Sequence, residues 1–442
     1  MQGMNNFENN AVSEESITPE SLGVSREETN LSNETKLVVL EKPNAPVYMR
    51  ATFLSGERLD PIGKEGTSHF LEHMLVAGTS RFPTKDKLAA YIEQYGGYFS
   101  ASTGAEELEI NSTVADPADL GVCTEVMHEI LLEPLFDSQT LEMERSAILK
   151  ELGDKKSNPQ KMLWELYPSL FFKGTDRGRS ILGSEETIKS ITRDDLINFY
   201  HEAITSGRLS LLTCGGVTID EVKKLSEKDL LVPVSPKLQM SGELAINREN
   251  PILVEQYKNI DQVHLMFGFR TQAQDGSENV ALNMIAETLG GNRSSVLNRK
   301  LRYERGLVYD SHAFTIEDSD SGVLLIKTST SKDKVQEVMD VVTGEIKRII
   351  DQGLTPEEVA FAKKKMIKSL RMELQASHNW VNIYTDWERG VGKPFGIIDY
   401  TKGISECTSA ITQSVAQKYF ANDKWYLAMC GDVNSQDVKI DL

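Results

Sequence analysis

A chain of 442 residues has room for two or three ordinary domains, and 40% hydrophobic with 26% charged residues is the balance of a globular protein. No run approaches the ~20 consecutive apolar residues of a membrane span, so no membrane partner is expected. A net charge of −18 argues against nucleic acid, whose phosphates call for a basic patch, and is compatible with basic peptides.

Four widely spaced cysteines, Cys123, Cys214, Cys407 and Cys430, form no C-x-x-C pair. That pattern points away from a cysteine metal site and toward a reducing, cytoplasmic compartment of bacterial type. Residues 1–34 are polar and glutamate-rich, with Arg26 the one basic residue, and read as a disordered acidic tail. They have neither the apolar centre of a secretory signal nor the arginine-rich composition of a transit peptide.

Thr35–Leu40 and Val47–Gly56 read as strands joined by the turn Lys42-Pro43-Asn44-Ala45-Pro46. A short helix follows, carrying His69-Phe70-Leu71-Glu72-His73. On a helix, positions 69, 72 and 73 share a face, while Phe70, Leu71, Met74 and Leu75 make an adjoining apolar face that anchors it. Thr67 or Ser68 can cap its start and Gly78 can end it. Two imidazoles with a carboxylate beside them suit Zn²⁺, which takes three protein ligands at a catalytic site and leaves a fourth position for water. H-x-x-E-H is the inverted zinc-protease signature. By itself the pentapeptide also fits two solvent-facing histidines on an amphipathic helix.

Further along, Pro83–Tyr95 reads as a helix, Gly96-Gly97 as a break, and Phe99–Thr103 with Leu108–Val114 as a hairpin. Asp116-Pro117 opens another helix. Ser138 caps the next, whose apolar stripe is Leu141, Ile148, Leu149 and Leu152. Glu144 and Glu151 stand one above the other at the rim of that stripe. On pattern alone they read more readily as solvent-facing glutamates than as part of a metal site.

H-x-x-E-H followed by this pair of glutamates resembles the M16 metallopeptidase family, which includes pitrilysin, insulysin and the mitochondrial processing peptidase. The resemblance implies one zinc per chain, with His69, His73 and Glu151 as ligands. It also implies that Glu72 is the general base and that Glu144 is a carboxylate that orients a histidine. Gly96–Thr103 resembles the family strand whose free edge pairs with substrate backbone, with Ser100 where the family usually has Asn. Edge pairing needs only backbone groups.

An internal repeat runs through the chain. Leu209–Val217 and Trp425–Val433 are both apolar strands ending in Cys-Gly-x-Val, each preceded by a similar helix. Val263–Arg270 likewise mirrors Val47–Gly56. A period near half the chain means two related domains. The expected division is 35–232 for a zinc-binding domain, 233–250 for a linker and 251–442 for a homologous domain. The second copy has no histidine in the helix Leu282–Leu289 and is expected to bind no metal. Arg302 and Tyr309 match the spacing of the family's arginine and tyrosine that reach the active site from the other half of the enzyme.

The resemblance spans about residues 36–440. It implies an α+β fold of two homologous domains, each a mostly antiparallel sheet packed with helices. The expected activity is that of a zinc endopeptidase acting on peptides or unfolded polypeptide segments. Larger family members hold four such domains, so a homodimer sharing its sites is the expected assembly. Two alternatives stand beside it. One is a non-catalytic M16-like core subunit, which typically lacks zinc ligands that this chain keeps. The other is the S-ribosylhomocysteine lyase, a much shorter protein with a cysteine beside its metal.

Overall fold

The computed structural model describes residues 17–238, 251–274, 278–389, 396–421 and 423–442. It has the expected α+β architecture, two sheets packed with helices. The first sheet holds β1 (Ser25–Asn30), β2 (Lys36–Glu41), β3 (Val47–Leu54), β4 (Tyr98–Thr103), β5 (Glu107–Val114) and β6 (Leu209–Gly215), in the order β1-β2-β6-β3-β5-β4. The second holds β7 (Ile252–Gln256), β8 (Gln262–Thr271), β9 (Ser311–Glu317), β10 (Gly322–Ser331) and β11 (Trp425–Gly431), in the order β7-β11-β8-β10-β9.

The two sheets repeat each other down to register. Cys214 on β6 faces Tyr48 on β3, and Cys430 on β11 faces His264 on β8. Val47 faces Val114 in one sheet, and Val263 faces Thr330 in the other. In each sheet a single parallel pair, β2 with β6 or β7 with β11, interrupts an otherwise antiparallel arrangement.

Strand β1 is the unmatched addition. It pairs antiparallel with β2 and lies in the segment expected to be a disordered tail, so that expectation is corrected for residues 17–34. Ile17, Val24 and Leu31 are buried and pin the segment. The strand itself is charged, with Arg26 paired to Glu28, as suits a sheet edge that must not recruit another chain. Composition misses such a strand because its bonds to β2 are made by backbone groups.

Helices α1 (Thr67–Ala77), α2 (Lys85–Glu93), α3 (Leu120–Leu132), α4 (Ser138–Ser157), α5 (Pro159–Phe171), α6 (Glu185–Ser190), α7 (Arg193–Ala203) and α8 (Ile219–Asp229) belong to the first half. The second half carries α9 (Asn279–Gly290), α10 (Val335–Gln352), α11 (Pro356–Glu373), α12 (Ser377–Arg389), α13 (Ile397–Glu406) and α14 (Ser409–Tyr419). Gly353, at a φ of 70°, makes the turn between α10 and α11 that its sequence position suggests.

Strands β2 and β6 of the first sheet and β10 and β11 of the second carry apolar residues on both faces, so each sheet needs two covers. Leu37 and Val39 of β2 face a core shared with α1, α3 and α7, whereas Val38 and Leu40 face the opposite side. That opposite side is covered by Trp380, Val381 and Tyr384 of α12, from the second half of the chain. The exchange is mutual. Leu163, Tyr167 and Phe171 of α5, from the first half, cover Met266, Leu325, Tyr426 and Cys430 of the second sheet. The division at 233–250, part of which lies outside the described residues, therefore separates the sheets but not their covers.

Candidate metal centre

Helix α1 packs Phe70, Leu71, Met74 and Leu75 into the first core. Its start is not capped by Thr67 or Ser68. Gly66 occupies the N-cap position at a φ of 95°, and a Cβ there would lie 2.8 Å from the Leu182 carbonyl oxygen. The capping carboxylate comes from Asp60. It accepts the Gly66 N–H at 2.7 Å and the Ser68 N–H at 2.8 Å, and it also bonds the Ser68 hydroxyl. Burial pushes the Asp60 carboxyl up to about 6, against those hydrogen bonds.

Helix α4 starts from an Asp137 cap, whose side chain accepts the Thr140 N–H, one residue before the expected Ser138. Leu141, Ile148 and Leu152 turn inward as expected, and α4 lies beside α1. That packing brings Glu151 to His69 and His73. Glu151 Oε2 is 3.8 Å from His69 Nε2 and 4.0 Å from His73 Nε2. The rings of His69 and His73 meet edge to face at 4.7 Å. Glu144 Oε2 lies 2.8 Å from His73 Nδ1, which turns the other ring nitrogen of His73 toward Glu151.

One donor atom from each of His69, His73 and Glu151 lies within 4.8 Å of the others, and no other such group occurs among the described residues. Two imidazole nitrogens and a carboxylate oxygen suit zinc, whose bonds to such donors are ~2.0–2.2 Å. His69 is held neutral, its pKa pushed down to about 3 by burial and by the neighbouring His73, which leaves a lone pair for a metal. Its Nδ1 is buried without a hydrogen-bond partner. The residues present therefore fit a zinc ion.

Glu72 shares the face of α1 with the histidines. Burial raises its pKa, opposed by a hydrogen bond from the Thr103 hydroxyl at 2.8 Å. Thr103 ends β4, an edge strand paired on one side with β5. Ser100 is exposed on that strand and accepts a bond from Asn111 at 3.3 Å. Sequence reading missed Thr103 and Asp60 as parts of this site. Thr103 ends the strand Gly96–Thr103 read as a substrate edge, but nothing in that motif ties its hydroxyl to Glu72, and Asp60 lies outside any motif and before the start of α1.

Arg302 and Tyr309 lie elsewhere. Arg302 is on the short helix Asn298–Tyr303, and its guanidinium carbon sits 4.7 Å from the centre of the Tyr309 ring. Tyr309 is 73% exposed. The two line a cavity of about 410 Å³ with Gly290, Asn292, Asp310 and His312, and none of the three candidate ligands borders it.

This fold with this donor set defines the class, a two-domain M16-like chain. A family model described as insulinase, peptidase family M16, matches residues 37–185, and one described as peptidase M16 inactive domain matches residues 190–366. The chain belongs to the M16 family. An uncharacterized zinc protease of Mycobacterium leprae is 25% identical over 387 residues, covering 86% of each chain. One of Rickettsia bellii is 28% identical over 325 residues, covering 72% of this chain and 76% of the relative. A protease from Helicobacter pylori has the same fold, with a TM-score of 0.85 at 18% identity over 92% of this chain and 99% of that one. The model named inactive takes in α7, β6 and α8 of the first half and runs into α11 of the second, and α9 carries no histidine where α1 carries two. Among the described residues, no helix is long and apolar enough to cross a membrane.

Proposed function

We propose that the chain is a zinc-dependent endopeptidase that cleaves peptides or unfolded polypeptide segments. The observation that carries this reading is the convergence of His69, His73 and Glu151 with the Glu72 carboxylate on the same helix face. Zinc bound there would act as a Lewis acid on a water molecule and on the scissile carbonyl. Glu72 takes a proton from the attacking water and returns it to the leaving amine. Its raised pKa suits a group that must both accept and release a proton. Thr103 holds the carboxylate in place. The free edge of β4 offers backbone N–H and C=O groups to an extended substrate.

Arg302 and Tyr309 complete the site from a second copy of the chain, the guanidinium holding a substrate carbonyl and the phenol stabilising the oxyanion. Their separate cavity and exposure support a homodimer that shares two sites. The central test compares wild type with Glu72→Gln on an unfolded polypeptide, with zinc content measured in both. Zinc bound without Glu72-dependent cleavage would favour a non-catalytic scaffold. Sharing is tested by mixing Glu72→Gln with Arg302→Ala protein. Regained cleavage is expected, and no recovery after confirmed subunit exchange refutes sharing.

A further inference from the structure

The segment Gly56–Asp60 precedes α1 and carries its capping carboxylate. It is zipped to the loop after β4 by three backbone bonds. Gly56 N–H donates to Glu106 O at 2.9 Å, Glu57 N–H to Gly104 O at 3.1 Å, and Arg58 N–H to Ala105 O at 3.0 Å. A Cβ on Gly56 would lie 2.5 Å from the Gly104 carbonyl oxygen, so the approach needs glycine. Arg179 adds two bonds, from Nη1 to the Asp60 carbonyl at 2.8 Å and from Nη2 to the Arg58 carbonyl at 3.1 Å. One short stretch thus joins the cap of α1 to the loop that begins at Thr103, the prop of Glu72.

This stretch is gripped by the second domain. Arg58 is buried and pairs with Glu106 at 2.6 Å, with Asp176 at 3.3 Å and with Asp320 at 2.6 Å. Asp320 lies in the turn between β9 and β10 of the second sheet. Its neighbour Ser319 donates to Glu106 twice, from its hydroxyl at 2.6 Å and from its N–H at 3.2 Å. Asp318 in the same turn pairs with Arg177. Three successive residues of the second domain therefore end on three buried first-domain side chains, Arg58 in the zipped stretch, Glu106 in the loop it is zipped to, and Arg177.

The geometry points to the Ser319–Asp320 turn as a brace that positions the metal centre from the other domain, through Arg58 and Asp60 to α1 and through Glu106 and Thr103 to Glu72. Arg58, Asp60, Glu106, Ser319 and Asp320 are positioning residues that touch no donor atom of the metal set. Charged side chains buried at a junction are costly unless paired, and removing one partner leaves the others to shift. Because the zipped stretch has little freedom of its own, the shift is passed to the two ends that hold α1 and Thr103. The second domain, which carries no metal set, thereby acts on the geometry of the first.

The inference rests on the metal-binding reading, and the test separates the two. Zinc affinity of the full chain is measured by competition with a chromogenic chelator. Coordination geometry is followed from the visible absorption of the Co²⁺-substituted protein. In Asp320→Asn, with circular dichroism and thermal midpoint confirming the fold, zinc affinity is expected to fall roughly 10-fold and the Co²⁺ bands to shift. Asp320→Glu is expected to return most of the affinity. Glu358→Gln, which breaks the distant pair between Arg348 and Glu358 (3.0 Å), is expected to leave both readouts unchanged. A folded Asp320→Asn protein with wild-type affinity and spectrum overturns the brace. Should that variant not fold, Ser319→Ala, which removes one hydroxyl bond to Glu106, decides by the same two readouts. A wild-type chain that takes up no zinc overturns the metal-binding reading, and this inference with it.

Discussion

Thr103 and Glu72, on an edge strand and on a helix, are joined by one hydrogen bond of 2.8 Å from hydroxyl to carboxylate. The bond ties the general base of the proposed reaction to the strand offered to substrate. It also opposes the burial that pushes the Glu72 carboxyl toward its neutral form.

Replacing Thr103 with valine keeps the shape and removes the donor. A hydrogen bond to a charged group contributes ~1.5–3 kcal/mol, so kcat is expected to fall by roughly 10-fold or more. Zinc content should stay at the wild-type level, and Thr103→Ser should restore most of the rate. Steady-state kinetics beside metal analysis checks this. A Thr103→Val enzyme as fast as wild type would falsify the role given to the bond.

Glu144 fixes the ring of His73 through Nδ1 at 2.8 Å. In Glu144→Gln and Glu144→Ala the imidazole loses its anionic partner, and zinc affinity is expected to drop roughly 10–100-fold. Chelator competition on the purified variants measures it. Glu151→Ala, which removes a donor from the metal set itself, should lose more than either.

Glu57 is buried, its Oε2 has no hydrogen-bond partner, and burial with the nearby Glu165 and Asp60 pushes its carboxyl from 4.5 up to about 9. The sign follows from linkage. In the unfolded chain the group ionises near 4.5, while in the folded chain it keeps its proton to about 9. The stability it contributes is present below 4.5 and is lost as pH rises toward 9. At pH 7 the loss is on the order of 3 kcal/mol. Denaturant unfolding at several pH values should show wild-type stability falling from mildly acid to mildly alkaline conditions. Glu57→Gln should flatten that slope, and an equal slope in both proteins would remove Glu57 as its source.

Trp380 of α12 is fully buried against the first sheet, and its indole N–H donates to the Leu374 carbonyl at 2.7 Å. Truncation to alanine should destabilise the protein by ~3–5 kcal/mol, because a cavity opens where the two halves interlock. The same interlocking predicts that residues 1–238 expressed alone do not form a stable domain. Without α12, one face of β2, β3 and β6 would be left to water. A cooperative thermal transition in that fragment would contradict the prediction.

The sequence by itself determined what depends on local periodicity. Helical spacing of four puts His69 and His73 on one face with Glu72, and the apolar residues beside them send α1 into the core. The matching Cys-Gly-x-Val strands disclosed the repeat that appears as two sheets of like register. Seven-residue spacing aligned Glu144 with Glu151, although only a family resemblance singled them out from other surface glutamates.

Tertiary structure decided what depends on contacts between elements distant in sequence. Glu151 meets the histidines because α4 packs on α1, a relation no spacing encodes. Asp60 replaces the expected cap of α1, and Thr103 reaches Glu72, because a strand edge and a loop converge on the helix from outside its own sequence. Charged β1 joined the sheet through backbone bonds that composition does not register. The exchange of α5 and α12 arose because strands apolar on both faces need a second cover. Each half supplies that cover to the other, so neither sheet is closed without the other half.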